Sequence, residues 1–175
     1  LIGSKHVESV IKDERVRAVS LTGSGPAGGA VAATAGSQIK PSLLELGGSD
    51  AFIVMPSADL EKALDTALTA RTQNNGQSCI AAKRFFVHAD VYDAFKAGFE
   101  ARFKSLKVGD PMDETTNIGP IATASIRDEL VEQVEKSVAA GASVFKPGNT
   151  LPDEGNWFDP CIVSGAPKGS PSADE

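Results

Sequence analysis

The first third of the chain alternates short apolar runs with a small-residue helical segment. Residues 16–23, VRAVSLTG, predict a buried strand through Val16, Ala18, Val19 and Leu21. The run from Ala27 to Ala35 predicts a helix, with Ser24 as N-cap, Pro26 in its first turn and Gly36 as its stop. PSLLELGG (41–48) predicts a second strand, closed by a glycine pair. Residues 16–46 therefore read as one strand–helix–strand unit, which calls for a parallel sheet. HVESVIKD, ahead of it, reads as the end of a helix.

The alternation continues. AFIVM (51–55) predicts a third strand. Residues 57–75 predict a capped amphipathic helix, with Ala63, Leu64, Ala67, Leu68 and Ala70 on its apolar side, and NNGQSC breaks it. KRFFVH (83–88) is a strand. In the helix expected over 90–106, Val91, Phe95, Phe99 and Phe103 recur every four residues, so one face is core. A loop rich in Gly, Pro, Asp and Thr fills 107–123, a helix follows over 125–141, and a strand begins in 142–148. The tail from Pro147 is irregular. The class is α/β. The chain is expected to start inside one sheet domain and stop inside another.

Composition is that of an ordinary globular protein, with 41% hydrophobic and 23% charged residues among 175. A net charge of −6 argues against nucleic acid or an anionic membrane as the main partner. No apolar run approaches the roughly 20 residues of a membrane span. LIGSKHVESV lacks the features of a signal peptide and has no initiator Met, so a piece of a longer protein is expected. Cys79 and Cys161 form neither a zinc set nor a disulfide framework. No metal site is expected, and the default setting is reducing and cytoplasmic.

The candidate chemistry begins at LTGSGPAGG. Gly23, Gly25 and Gly28 follow the pattern G-x-G-x-x-G between a strand and a helix. One reading is a phosphate-binding turn, with Gly28 allowing close packing of helix on strand. The other is a plain strand-to-helix turn. A Walker loop is excluded, because Gly29 and Ala30 stand where Lys and Ser or Thr are needed. Glu45 lies 22 residues after Gly23, where a ribose-binding acid would fall. It also ends an apolar strand beside two glycines, where a carboxylate is expected to be poorly solvated and suited to general-base work; the alternative, commoner for an arbitrary Glu, is a helix-capping or salt-bridged glutamate.

Cys79 closes NNGQSC. A cysteine near a helix start, with Lys83 and Arg84 following, sits where a thiolate is favoured. The alternative is a buried structural cysteine. His6 and His88 lie in no recognisable catalytic context, so a thiol enzyme here needs a carboxylate base. Cys161, after a proline on an expected strand, reads as structural.

LTGSGPAG, LELGG and NNGQSC, in this order, resemble the aldehyde dehydrogenase superfamily, and the 34-residue separation of Glu45 and Cys79 fits it. The likeness runs through essentially all 175 residues. LELGGSDAFIV and AAKRFFVH look most like bacterial succinate-semialdehyde dehydrogenases. The resemblance implies the end of a Rossmann-type NAD(P)-binding domain over 1–47 and the start of an α/β catalytic domain over 48–175. It implies Cys79 as the nucleophile, whose own N–H helps bind the oxyanion, and Glu45 as the base that activates water. Gly23, Ser24 and Gly28 would serve the dinucleotide, NAD or NADP, and Leu46 its nicotinamide end. The substrate would be a small aldehyde, and the full-length enzyme a homodimer or homotetramer. The family's oxyanion Asn would lie upstream of Leu1 and its ribose Glu beyond Glu175, so the segment alone is expected to be inactive. Ser49 and Asp50 stand where many members carry Lys or a similar residue after the two glycines. A non-enzymatic or degenerate module of the same descent is the alternative.

Overall fold

A computed structural model of the chain describes residues 2–174. It divides into two compact units, Leu1–Gly48 and Ser49–Glu175.

The first unit contains α1 (Val7–Lys12), β1 (Val19–Thr22), α2 (Gly25–Ser37) and β2 (Ser42–Glu45). The strands pair in parallel, from Val19 opposite Ser42 to Thr22 opposite Glu45, with α2 as the crossover. The expected strand–helix–strand unit is present. Ser24 caps α2 through Oγ, which accepts the Ala27 amide at 3.4 Å, and Pro26 occupies the first turn. Gly36 does not end the helix; it lies inside it. The stop comes three residues later. The Ile39 amide donates to Gly36 and the Lys40 amide to Ala35, each at 3.0 Å, closing the six-residue and inner loops of a Schellman motif. Ile39 takes the left-handed position at φ 55°, which glycine usually fills. Lys40 Nζ then donates to the carbonyls of Ile11 and Asp13, each at 2.6 Å, tying the end of α1 to the end of α2.

The second unit contains β3 (Asp50–Val54), α3 (Leu60–Thr72), β4 (Ala82–Val87), α4 (Ala89–Lys104), α5 (Ala124–Ala139), β5 (Ser143–Phe145), β6 (Ile162–Ser164) and α6 (Pro171–Asp174). β3 and β4 are parallel, with Phe52 opposite Phe85 and Ile53 opposite Phe86. The α3 cap is Asp59, whose carboxylate accepts the Lys62 amide at 3.2 Å. Phe95, Phe99 and Phe103 are each 3% exposed, as their spacing predicts, and Leu64 and Ala67 of α3 meet them in one core. Phe52, Phe85 and Phe99 form a run of ring contacts, at 5.5 Å and 5.0 Å between centroids. Burying each such side chain is worth about 1.5–3 kcal/mol, so this cluster is the main support of the unit. β5 and β6 pair antiparallel, so the irregular tail returns one strand to the fold.

Candidate functional site

The first group of expected site residues lies at the carboxyl ends of β1 and β2, the end at which open parallel sheets bind ligands. The Gly23 amide donates to the Glu45 carbonyl at 3.0 Å, so the chain leaves β1 for α2 beside the last residue of β2. Gly28 is buried against the residue that follows: a Cβ there would stand 2.7 Å from Leu46 Cδ2 and 3.0 Å from Cδ1. Its role in close helix–strand packing is therefore met. A Cβ at Gly25 would meet open space, so close packing does not require glycine there.

This end of α2 suits an anion. The helix is 13 residues long, its first turn carries no acidic side chain, and Gly23 to Ala27 are exposed. Gly23 and Gly25 carry no side chain on either side of Ser24, so the turn leaves room for an anionic group such as a pyrophosphate.

Glu45 departs from expectation. It is exposed, not shielded by its apolar strand. Along β2, which pairs with β1, Leu43 is exposed as well, at 63%.

The second group centres on Cys79. No helix starts there. α3 ends at Thr72, a short 3-10 turn spans Gln73–Gly76, and Cys79 lies in the bend before β4. The expected helix-end field is thus absent. The thiol-bearing residue is exposed, and Lys83 Nζ donates to the carbonyls of Ser78 at 2.9 Å and Cys79 at 3.2 Å. The backbone ahead of it is unusual: Asn74, Asn75 and Gly76 are all left-handed, at φ 51°, 56° and 72°. Arg71 Nη1 donates to the Gly76 carbonyl at 3.1 Å from inside the turn, and a Cβ at Gly76 would stand 2.6 Å from that nitrogen. Asn74 Nδ2 donates to the Gln77 carbonyl at 3.1 Å.

The model of the aldehyde dehydrogenase family matches residues 1–175. The chain belongs to this family. It is similar to a succinate-semialdehyde dehydrogenase [NADP(+)] of Mycolicibacterium paratuberculosis, with 58% identity over 94% of this chain and 35% of that protein. The enzyme of the same name from Mycobacterium leprae is 58% identical over 93% of this chain and 35% of its own length. The crystal structure of succinic semialdehyde dehydrogenase from Streptococcus pyogenes in complex with NADP+ superposes with a TM-score of 0.92. It is 35% identical, over 98% of this chain and 38% of that one. The chain thus spans about a third of the length of the curated relatives it matches.

The aldehyde dehydrogenase fold expected from the three motifs is the fold observed. Of the rival thiol-enzyme partners, His88 is taken up locally: its Nδ1 accepts the Asp90 amide at 3.2 Å and caps α4. Cys161 precedes β6, half-buried, and burial pushes its thiol upward. Among the described residues no helix is long and apolar enough to cross a membrane. The sequence reading missed one set of residues in this aldehyde dehydrogenase segment. Asn75 and Gln77 reach across to the loop of residues 107–123, and their only sequence signal is the polar run NNGQS itself.

Proposed function

We propose that the protein carrying this chain oxidises an aldehyde, succinate semialdehyde, to its carboxylic acid with NADP+. Cys79 is the nucleophile, the unit Leu1–Gly48 holds part of the dinucleotide, and the unit Ser49–Glu175 carries the thiol. The observation that carries this reading is the joint presence of LTGSGPAG, LELGG and NNGQSC in a chain 58% identical to an NADP-dependent succinate-semialdehyde dehydrogenase.

Cys79 Sγ, as thiolate, attacks the aldehyde carbon and forms a thiohemiacetal. The thiohemiacetal carbon then gives up its hydrogen as hydride and becomes a thioester on Cys79; NADP+, when bound, would supply the acceptor of that hydride. Glu45 then takes a proton from water as its oxygen adds to the thioester carbon, and cleavage of the C–S bond returns the thiolate and releases the acid. The Cys79 amide donates to the oxygen on which negative charge develops. Gly23, Ser24 and the first turn of α2 would hold the pyrophosphate, with Gly28 keeping that turn close to the Leu46 side chain, and Leu46 would serve the nicotinamide end.

The experiment is turnover of succinate semialdehyde by the full-length protein and its Cys79→Ala and Glu45→Gln variants. Cys79→Ala abolishes acid formation. Glu45→Gln still reduces one equivalent of NADP+ and then stalls as the acyl-enzyme. Retained turnover in Cys79→Ala overturns the reading. Residues 1–175 alone yield no NADPH, and measurable production by them overturns that part.

A further inference from the structure

Given Cys79 as the nucleophile, we propose that Asn75 and Gln77 are positioning residues that clamp the Cys79 turn to the segment 119–122. Asn75 Oδ1 accepts the Gly119 amide at 3.0 Å, and its Nδ2 donates to the Pro120 carbonyl at 3.3 Å. Gln77 Oε1 accepts the Ala122 amide at 3.0 Å. Two side chains thus satisfy three backbone groups within four consecutive residues, in the manner of an added strand. The approach is close, since a Cβ at Gly119 would stand 3.3 Å from Asn75 Nδ2.

The two sides of this clamp differ in firmness. Segment 119–122 is anchored: Ile118 and Ile121 are 6% and 7% exposed, and the Ile121 amide donates to the Asn156 carbonyl at 2.8 Å. The Cys79 side is held at its backbone, by Arg71 on the Gly76 carbonyl and Lys83 on those of Ser78 and Cys79, but Cys79 and Ile80 themselves are exposed. Asn75 and Gln77 flank Gly76 and are the side chains that tie this turn to the anchored segment. Attack on a carbonyl carbon tolerates little error in the position of sulfur, a displacement of about 1 Å lowering the rate roughly a hundredfold.

The test uses single-turnover NADPH formation by the full-length protein in excess over succinate semialdehyde. This first-order rate constant is unmoved by a loss of folded protein. Asn75→Gly keeps the left-handed backbone and deletes only the clamp; Gln77→Ala deletes the second arm. Each lowers the rate constant roughly tenfold to a hundredfold, with KM for NADP+ within about twofold of wild type. Asn75→Asp, which keeps the acceptor for Gly119 and loses the donor to Pro120, falls between. In the same variants the Gly119 or Ala122 amide exchanges with deuterium about tenfold faster. Wild-type rate constants in both Asn75→Gly and Gln77→Ala overturn the inference. Cys79→Ala is run beside them: turnover surviving that change removes the nucleophile reading instead, so the two failures are told apart.

Discussion

Leu46 lies so close to Gly28 that a methyl group there would stand 2.7 Å from its Cδ2; in the second unit, a methyl at Gly98 would stand 2.6 Å from Leu64 Cδ1. The distances match, but the neighbours do not. Leu64 is 1% exposed and locked in the phenylalanine cluster, whereas Leu46 is only half-buried and can turn away. Both substitutions to Ala gain about 1 kcal/mol of helix propensity. Gly98→Ala then loses about 1–3 kcal/mol to overpacking and is destabilised on balance. Gly28→Ala stays within about 1 kcal/mol of wild type. Its effect falls on Leu46, and KM for NADP+ rises in the full-length protein. Urea unfolding of each variant checks the contrast.

Ile39 offers a gain in stability. A β-branched residue in the left-handed region stores about 1–2 kcal/mol of strain, and at 95% exposure its side chain gives nothing back by burial. Ile39→Asn, with Lys40 left to close the Schellman bond, stabilises the first unit by about 0.5–1 kcal/mol. The urea midpoint moves up without a change in slope; an unchanged or lower midpoint contradicts the strain.

The two thiols separate by exposure. Iodoacetamide at neutral pH labels Cys79, which is exposed, and spares Cys161, whose thiol is pushed up by burial and held neutral. Cys161 reacts when pH is raised further or the chain is unfolded. Peptide masses after brief alkylation read this directly, and first labelling at Cys161 contradicts it.

The loop of residues 107–118 carries an acid dependence. The Lys107 ammonium, with the Thr115 amide and hydroxyl, holds the Asp113 carboxyl well below the ordinary carboxylate range. The Lys107 Nζ to Asp113 Oδ2 distance is 2.7 Å. A lowered pKa means that the unfolded carboxyl binds its proton more readily. The stabilisation is therefore fully present above about pH 4 and is lost as pH falls below it. Exchange of the Thr115 amide accelerates over that acid window relative to its intrinsic rate, and Asp113→Asn removes the pH dependence.

What could be read from the chain beforehand followed from local chemistry. The four-residue spacing of Phe95, Phe99 and Phe103 named the core face of α4, and Ser24 with Pro26 marked the start of α2. The order of LTGSGPAG, LELGG and NNGQSC carried the family. Three features were out of reach for physical reasons. Gly36 looked like a stop, but small size alone does not end a helix; the left-handed turn fell on Ile39, which composition disfavours. A helix start near Cys79 is not what the chain forms: Cys79 lies in a turn, and the strand expected from Lys83 begins one residue earlier, at Ala82, where β4 pairs with β3. The hydrogen bonds of Asn75 and Gln77 span 44 and 45 residues, beyond any local pattern.

The left-handed turn at Asn74–Gly76 also sets which substitutions this stretch can accept. Gly76 has Arg71 atoms within 3.0 Å of where a side chain would begin, and the two residues before it share its handedness. A saturation library over these three codons would therefore be sorted first by backbone shape, before any side chain is tested for chemistry: Gly, Asn and Asp recovered at 74 and 75 with Val, Ile and Thr lost, and Gly alone recovered at 76.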